Sequence, residues 1–181
     1  MKLFNIFLGI FLVVFFFVAV SWFLPHAYRI EKTTVVNRPL QQSFDYMNNI
    51  NNWNDWSPWN KTLDSSLVFF YSKNRVGYGA RQYFRGGLYG SGRLCITNSK
   101  PNAEMAYDLW MNEGSIYTQA KFRFEPLGFK TKLIWIDSGD VGLNPIYRYM
   151  LNSKIASTEE SFEQGLVTIK KAIEKHYPLM P

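Results

Sequence analysis

The sequence predicts an α+β fold: an antiparallel sheet followed by C-terminal helix, with a membrane-crossing helix ahead of it. Three observations predict this. Residues 3–24, "LFNIFLGIFLVVFFFVAVSWFL", carry no charge over 22 positions, and about 20 apolar residues span a hydrocarbon core as a helix. Six short runs rich in β-branched and aromatic residues then alternate with turn signals, the pattern of an antiparallel meander. The chain ends in apolar residues at helical spacing.

The elements follow in order. A secretory signal is the alternative for residues 3–24, with Ala19-Val20-Ser21 as its small-x-small site, but its apolar region usually runs only about 7 to 15 residues. The longer run here favours a retained anchor over residues 1–26, with Trp22 and Tyr28 as interfacial aromatics at its far end. Lys2 lies before the span and Arg29, Lys32 and Arg38 after it. Counted literally, that charge bias keeps the domain cytoplasmic. A two-residue tail is easily left inside, which tips the reading slightly to an extracytoplasmic domain. Pro25-His26-Ala27 leaves almost no spacer, so the domain of residues 27–181 sits near the bilayer.

"YRIEKTTVV", residues 28–36, alternates as a strand. Pro39 then opens a helix, since proline is tolerated where the N–H has no helical partner, and Leu40, Phe44 and Met47 form its apolar stripe. Strands are expected at 65–72, 79–85, 92–98, 104–111, 116–126 and 130–138. In "AKFRF", Ala120, Phe122 and Phe124 face one way and Lys121 and Arg123 the other, as in a sheet with one wet face. Two helices close the chain: a short one from Asn144 to Asn152, and one starting at a Ser157-Thr158-Glu159-Glu160 capping box. The second carries Phe162, Leu166, Ile169 and Ile173 on one face to about Lys175. Gly165 interrupts it at a cost of about 1 kcal/mol relative to alanine, which signals something close to the backbone.

Composition excludes several functions. The net charge is +6, which suits a solvated basic surface or an anionic membrane. There is no Lys/Arg cluster or nucleic-acid motif. Cys95 is the single cysteine, so neither an intramolecular disulfide nor a cysteine zinc site is available. Between Leu94 and Ile96 it reads as a packed strand thiol. His26 and His176, the two histidines, lie at the membrane boundary and near the C-terminus, without a nucleophile-base-orienter context. No His, Asp or Glu grouping has metal-ligand spacing, and no cofactor is implied. "GGLYGSG", residues 86–92, lacks the Lys-Ser/Thr of a phosphate loop and reads as a hairpin. Asn60-Lys61-Thr62 matches a glycosylation sequon, a pattern common by chance. Asp137 and Asp140 are either paired carboxylates or strand-end and turn residues.

"NNWNDWSPWN", residues 51–60, sets Trp53, Trp56 and Trp59 among turn formers. Turn residues belong at surfaces and tryptophans in cores or interfaces. A membrane belt, a ligand lid and the packed underside of a loop all satisfy both demands.

"RPLQQSFDYMNNINNWNDWSPW" resembles the proline-led helix and W-x-x-W-S-P-type turn of the polyketide cyclase/START-like (SRPBCC) superfamily. "VGYGARQYF", "GSGRLCI", "FRFEPLGFKTKLIWIDSGD", "NPIYRYM" and "SFEQGLVTIKKAIE" resemble its later blocks in the same order, over about residues 28–175. The nearest branch is bacterial and single-pass. The resemblance implies a helix-grip fold, a curled antiparallel sheet around a long C-terminal helix, with an apolar cavity between them. It brings no universal catalytic residue, so the fold alone names no function. From the sheet, the candidate cavity lining is Tyr83, Leu94, Tyr107, Leu109, Phe122, Phe124 and Trp135; from the helix, Phe162, Gly165 and Leu166. Trp135 shares a strand face with Leu133 and Asp137 and resembles the family's inward tryptophan, with core filling as the alternative. Trp53, Trp56 and Trp59 serve loop packing or a pocket lip.

Three functions compete. The first is a membrane-anchored module binding an apolar small molecule such as a lipid, isoprenoid or polyketide. The second is a cyclase or dehydratase using Tyr107, Asp137 or Tyr117 as acid or base, which requires such a group buried in the pocket with a shifted pKa. The third is a scaffold whose own side chains fill the interior, to which the aromatic content of 18% lends itself. The expected partners are a membrane and an apolar ligand, not nucleic acid; oligomeric state is left open.

Overall fold

In the computed structural model, residues 2–57, 64–88, 90–111 and 116–178 are described. Helix α1 spans Lys2–Ser21, and its Leu3–Ser21 segment is long and apolar enough to cross a membrane, with none of its hydrophobic window buried in the protein. Strand β1 (Ala27–Val36) leads to helix α2 (Leu40–Met47) and a 3-10 turn at Ile50–Asp55. The meander runs through β2 (Val68–Tyr71), β3 (Arg81–Gly86), β4 (Gly90–Lys100), β5 (Glu104–Met111), β6 (Ile116–Leu127) and β7 (Lys130–Asp140), and α3 (Pro145–His176) ends the fold.

The seven strands form one antiparallel sheet in the order β1-β7-β6-β5-β4-β3-β2. Consecutive strands from β2 to β7 pair by hairpins, and β1 returns to the far edge beside β7, opposite Ala27–Val36 in register with Asp140–Thr131. Register fixes the faces. Leu133, Trp135 and Asp137 pair with Phe124, Phe122 and Ala120, and Phe122 and Ala120 with Met105 and Tyr107. This row is the buried, concave face against α2, the 3-10 turn and α3. The other face carries the ion pairs Lys121–Glu104 at 3.3 Å and Lys132–Glu125 at 3.0 Å, and the Arg93 guanidinium 4.1 Å over Trp110. The alternation of "AKFRF" is realised as expected: Ala120, Phe122 and Phe124 are buried.

One expectation fails. The two C-terminal helices are a single 32-residue helix. Its cap is Asn144, whose Oδ1 accepts from the N–H groups of Ile146 and Tyr147, with Pro145 at the first position. The Ser157-Thr158-Glu159-Glu160 motif lies inside it. Thr158 and Ser161 turn their hydroxyls back to the carbonyls of Lys154 and Ser157, an alternative use of such side chains within helices. Tertiary contact keeps the helix continuous here. Within the stretch where the sequence suggests a break, Lys154 stands 5.1 Å over the Tyr28 ring of β1 and Ile155 packs against the core, just after the buried Leu151. At the other end Arg38 closes α3 by donating to the carbonyls of Glu174 and Tyr177.

Candidate functional site

The concave interior is built around aromatic rings. Trp53 and Trp56 ride on the 3-10 turn and reach inward. Trp53 is fully buried, and its Nε1 donates to the Met47 carbonyl at 2.8 Å, which ties the turn to the end of α2. Its ring meets Tyr107 edge-on at 4.9 Å and lies 4.8 Å from Trp56. Trp56 in turn stands edge-on to Phe122 and Trp135, at 5.9 and 5.8 Å. Phe122 leans on Trp135 at 4.8 Å, and Trp135 stacks on Phe162 of α3 at 4.0 Å. Offset and edge-on pairs of this kind contribute about 0.5–1.5 kcal/mol each beyond area burial. Turn formers shape the backbone of residues 51–57 while the indoles pack beneath it. Trp59 and the Asn60-Lys61-Thr62 sequon lie outside the described residues.

Gly165 marks where the helix meets this stack. A Cβ added there would stand 2.7 Å from Cζ3 of Trp135, so the indole occupies the space a side chain would take. Leu166 packs into the same core. Leu94, Leu109 and Phe124 also point inward and are buried; Phe124 meets Phe44 of α2 edge-on at 5.3 Å.

Tyr83 does not. It pairs with Phe70 and Arg93 on the outer face and is 38% exposed. Gln82 and Phe84 fill the inward places on β3 and are buried. The signal was available: Arg81 and Arg85 flank Tyr83 at the two-residue period that places them on one face, and two arginines mark that face as the wet one. Tyr117 is also on the outer face, 53% exposed, where its hydroxyl donates to Asp108 Oδ2 at 3.1 Å. It is therefore not a buried acid or base.

The interior holds few polar groups. Tyr107 accepts a hydrogen bond from Trp135 Nε1 at 3.2 Å, and burial drives its phenol well above the ordinary range. Asp137 is almost fully buried. Its Oδ2 accepts from the Tyr28 hydroxyl at 3.4 Å, and burial raises its carboxyl above the ordinary 3.8, with Lys154 opposing the rise. Burial and then Asp137 push the Tyr28 phenol up to about 12. Asp140 is not paired with Asp137; it binds His26 Nδ1 at 2.9 Å at the surface. His176 packs edge-on against Tyr46 and Tyr177. Among the described residues no group of His, Cys, Asp and Glu is placed to hold a metal ion.

Among the described residues three buried side-chain polar atoms have no partner: Ser43 Oγ on α2, the Trp56 Nε1–H donor and the Gln82 Oε1 acceptor. Gln82 binds through its nitrogen alone, donating to Asn54 Oδ1 at 2.6 Å and the Tyr71 hydroxyl at 3.3 Å. An unmade hydrogen bond in a buried site costs about 1–3 kcal/mol. An aromatic lining with an unpaired donor is suited to an apolar molecule bearing an oxygen acceptor. Sequence reasoning had no means to find any of these atoms, because orphaning depends on what stands opposite in space. Two open surface depressions, of about 460 Å³ beside Arg38 and Glu174 and about 500 Å³ beside Phe70 and Arg85, include none of the expected lining residues.

No protein-family model matches the chain, and no curated protein matches it in sequence. Solved structures do match. CalU16 from Micromonospora echinospora superposes with a TM-score of 0.54 at 13% identity, over 81% of this chain and 76% of that one. The Aha1 dimer from Colwellia psychrerythraea gives 0.56 at 15% identity, over 81% and 96%. Protein MLL2253 from Mesorhizobium loti gives 0.58 at 10% identity, over 82% and 98%. At these identities the likeness is one of fold. The seven-stranded curled sheet gripping a long C-terminal helix is the helix-grip fold.

Proposed function

We propose that this chain is a membrane-anchored binding module that holds an apolar small molecule, such as a lipid, isoprenoid or polyketide-like compound, between the concave sheet and α3. One observation carries the reading: the buried Trp56 Nε1–H has no acceptor among the described residues and stands among the rings of Trp53, Phe122 and Trp135. An oxygen acceptor on the ligand would complete that bond, and the aromatic lining would take its apolar body. Helix α1 is the retained anchor of this reading, with the domain on the extracytoplasmic side. Protease accessibility in sealed vesicles of known orientation tests that side.

Native mass spectrometry of detergent-extracted protein tests the binding reading, together with the variant Trp56→Phe. A co-purifying apolar compound that is lost or weakened in Trp56→Phe supports it. A wild-type chain that carries nothing and takes up no fluorescent apolar probe overturns it in favour of a second reading. That second reading is a scaffold with a filled interior, and the Trp135 indole lodged against Gly165 is the observation that favours it.

A further inference from the structure

The end of α1 is built into the domain. Arg148 on α3 is buried. Its Nη1 donates to the carbonyls of Ser21 at 3.1 Å and Trp22 at 3.4 Å, and its Nε to the Gly142 carbonyl at 2.7 Å. The last carbonyls of a helix lack intrahelical partners, and a cation there also meets the negative end of the helix dipole. One turn back along α1, Phe17 stacks on Tyr149 at 4.2 Å, and the Tyr149 hydroxyl donates to the Phe17 carbonyl at 3.0 Å.

These contacts set a depth. Twenty helical residues are about 30 Å long, close to the roughly 30 Å of the hydrocarbon core. Ser21 then lies at the core boundary, and Phe17, four residues earlier, about 6 Å inside it. The first turns of α3 are held at the same level. Leu143 lies in the turn just before the Asn144 cap, and Ile146, Tyr147 and Met150 follow in the helix at spacings of one and three, which places those three on one helical face. The four are 77, 58, 58 and 59% exposed. Beside them Trp22 and Phe23 are exposed as well. On the same helix Arg148 and Leu151 turn inward and are buried.

We infer that the start of α3 is a second membrane contact: the apolar helical face of Ile146, Tyr147 and Met150, with Leu143 in the turn before it, enters the lipid interface beside α1. The inference rests on the reading of α1 as a membrane span. Continuity with α1 decides for lipid as the occupant: the face begins where the span ends and shares its depth. An amphipathic helix lying in the interface buries its apolar side at the boundary of headgroups and acyl chains.

The test uses the full chain with Cys95→Ser, reconstituted in phosphatidylcholine vesicles. Single cysteines at Ile146, Met150, Phe11 and Phe70 carry an environment-sensitive fluorophore, and the quencher is phosphatidylcholine brominated on its acyl chains. All four native side chains are more than half exposed, so labelling leaves the fold intact, as thermal melts check. Labels at Ile146 and Met150 should lose several-fold more fluorescence than the label at Phe70 on the far edge of the sheet. Quenching at Phe11 alone overturns the inference and leaves the span standing. No quenching at Phe11 removes the span and the inference with it. Labels at Ile146 and Met150 that escape lipid quenching but cross-link between copies assign the face to a second copy and overturn the inference as well.

Discussion

Gly165→Ala should destabilise this protein, although alanine is the better helix former. The added Cβ would stand 2.7 Å from Cζ3 of Trp135, about 0.8 Å short of the roughly 3.5 Å at which carbon atoms rest. The indole cannot swing aside. It stacks on Phe162 at 4.0 Å, leans on Phe122 at 4.8 Å, and its Nε1 is tied to the Tyr107 hydroxyl at 3.2 Å. Overpacking of this kind costs about 1–3 kcal/mol, against about 1 kcal/mol gained in helix propensity. The net loss is up to about 2 kcal/mol, and each kcal/mol lowers Tm by about 2–4 °C in a chain of this size. Gly165→Leu should lose more. The assay is thermal unfolding of the full chain in detergent, followed by near-ultraviolet circular dichroism, which reads the packed aromatics. Trp135→Phe completes a double-mutant cycle, because the shorter ring withdraws from the helix. In that background Gly165→Ala should be neutral or stabilising, giving a coupling of about 1–3 kcal/mol between contacting sites. If Gly165→Ala raises Tm in the wild type by the propensity gain alone, the helix is not seated on Trp135 and the reasoning fails.

Three other predictions follow from the same contacts. Because burial raises the folded-state pKa of Asp137 above its ordinary 3.8, the folded chain keeps a proton the unfolded chain has released, and stability falls as pH rises through that interval. Asp137→Asn should therefore gain on the wild type as pH climbs from below 3.8; a stability difference that is flat with pH would refute it. Arg148→Ala removes the donor to the Ser21, Trp22 and Gly142 carbonyls, and hydrogen bonds to charged groups contribute about 1.5–3 kcal/mol each. Protease cleavage at Pro25-His26-Ala27 should then speed up about tenfold or more, a factor equivalent to about 1.4 kcal/mol; an unchanged rate would show that the anchor is not docked through Arg148. Intact-mass measurement of the membrane fraction should find residues 3–24 retained, and a mature chain beginning near Trp22 would identify them as a cleaved signal.

By itself the sequence determined the kinds and order of the elements up to the C-terminal helix, which it divided in two. Strand alternation reports burial directly, because successive side chains point to opposite faces, and so Ala120, Phe122 and Phe124 were legible as core. The helical stripe of Phe162, Leu166, Ile169 and Ile173 was legible for the same reason at a period of 3.6, and Gly165 announced a close approach without saying by what. Local signals misled where a long-range contact outweighed them. The capping motif at Ser157 did not start a helix, since the stretch before it is already seated on the sheet through Lys154 over Tyr28 and Ile155 against the core. Tyr83 faces outward with Arg81 and Arg85, because aromatic character alone does not fix which face of a strand is buried. What only the tertiary structure decided is which atoms meet. That Trp135 fills the space above Gly165, that Trp56 Nε1 is left without an acceptor among the described residues, and that Arg148 closes the end of a helix more than a hundred residues earlier all depend on groups distant in the chain. Periodicity records only whether a side chain faces the interior, and a partner is fixed by packing in three dimensions.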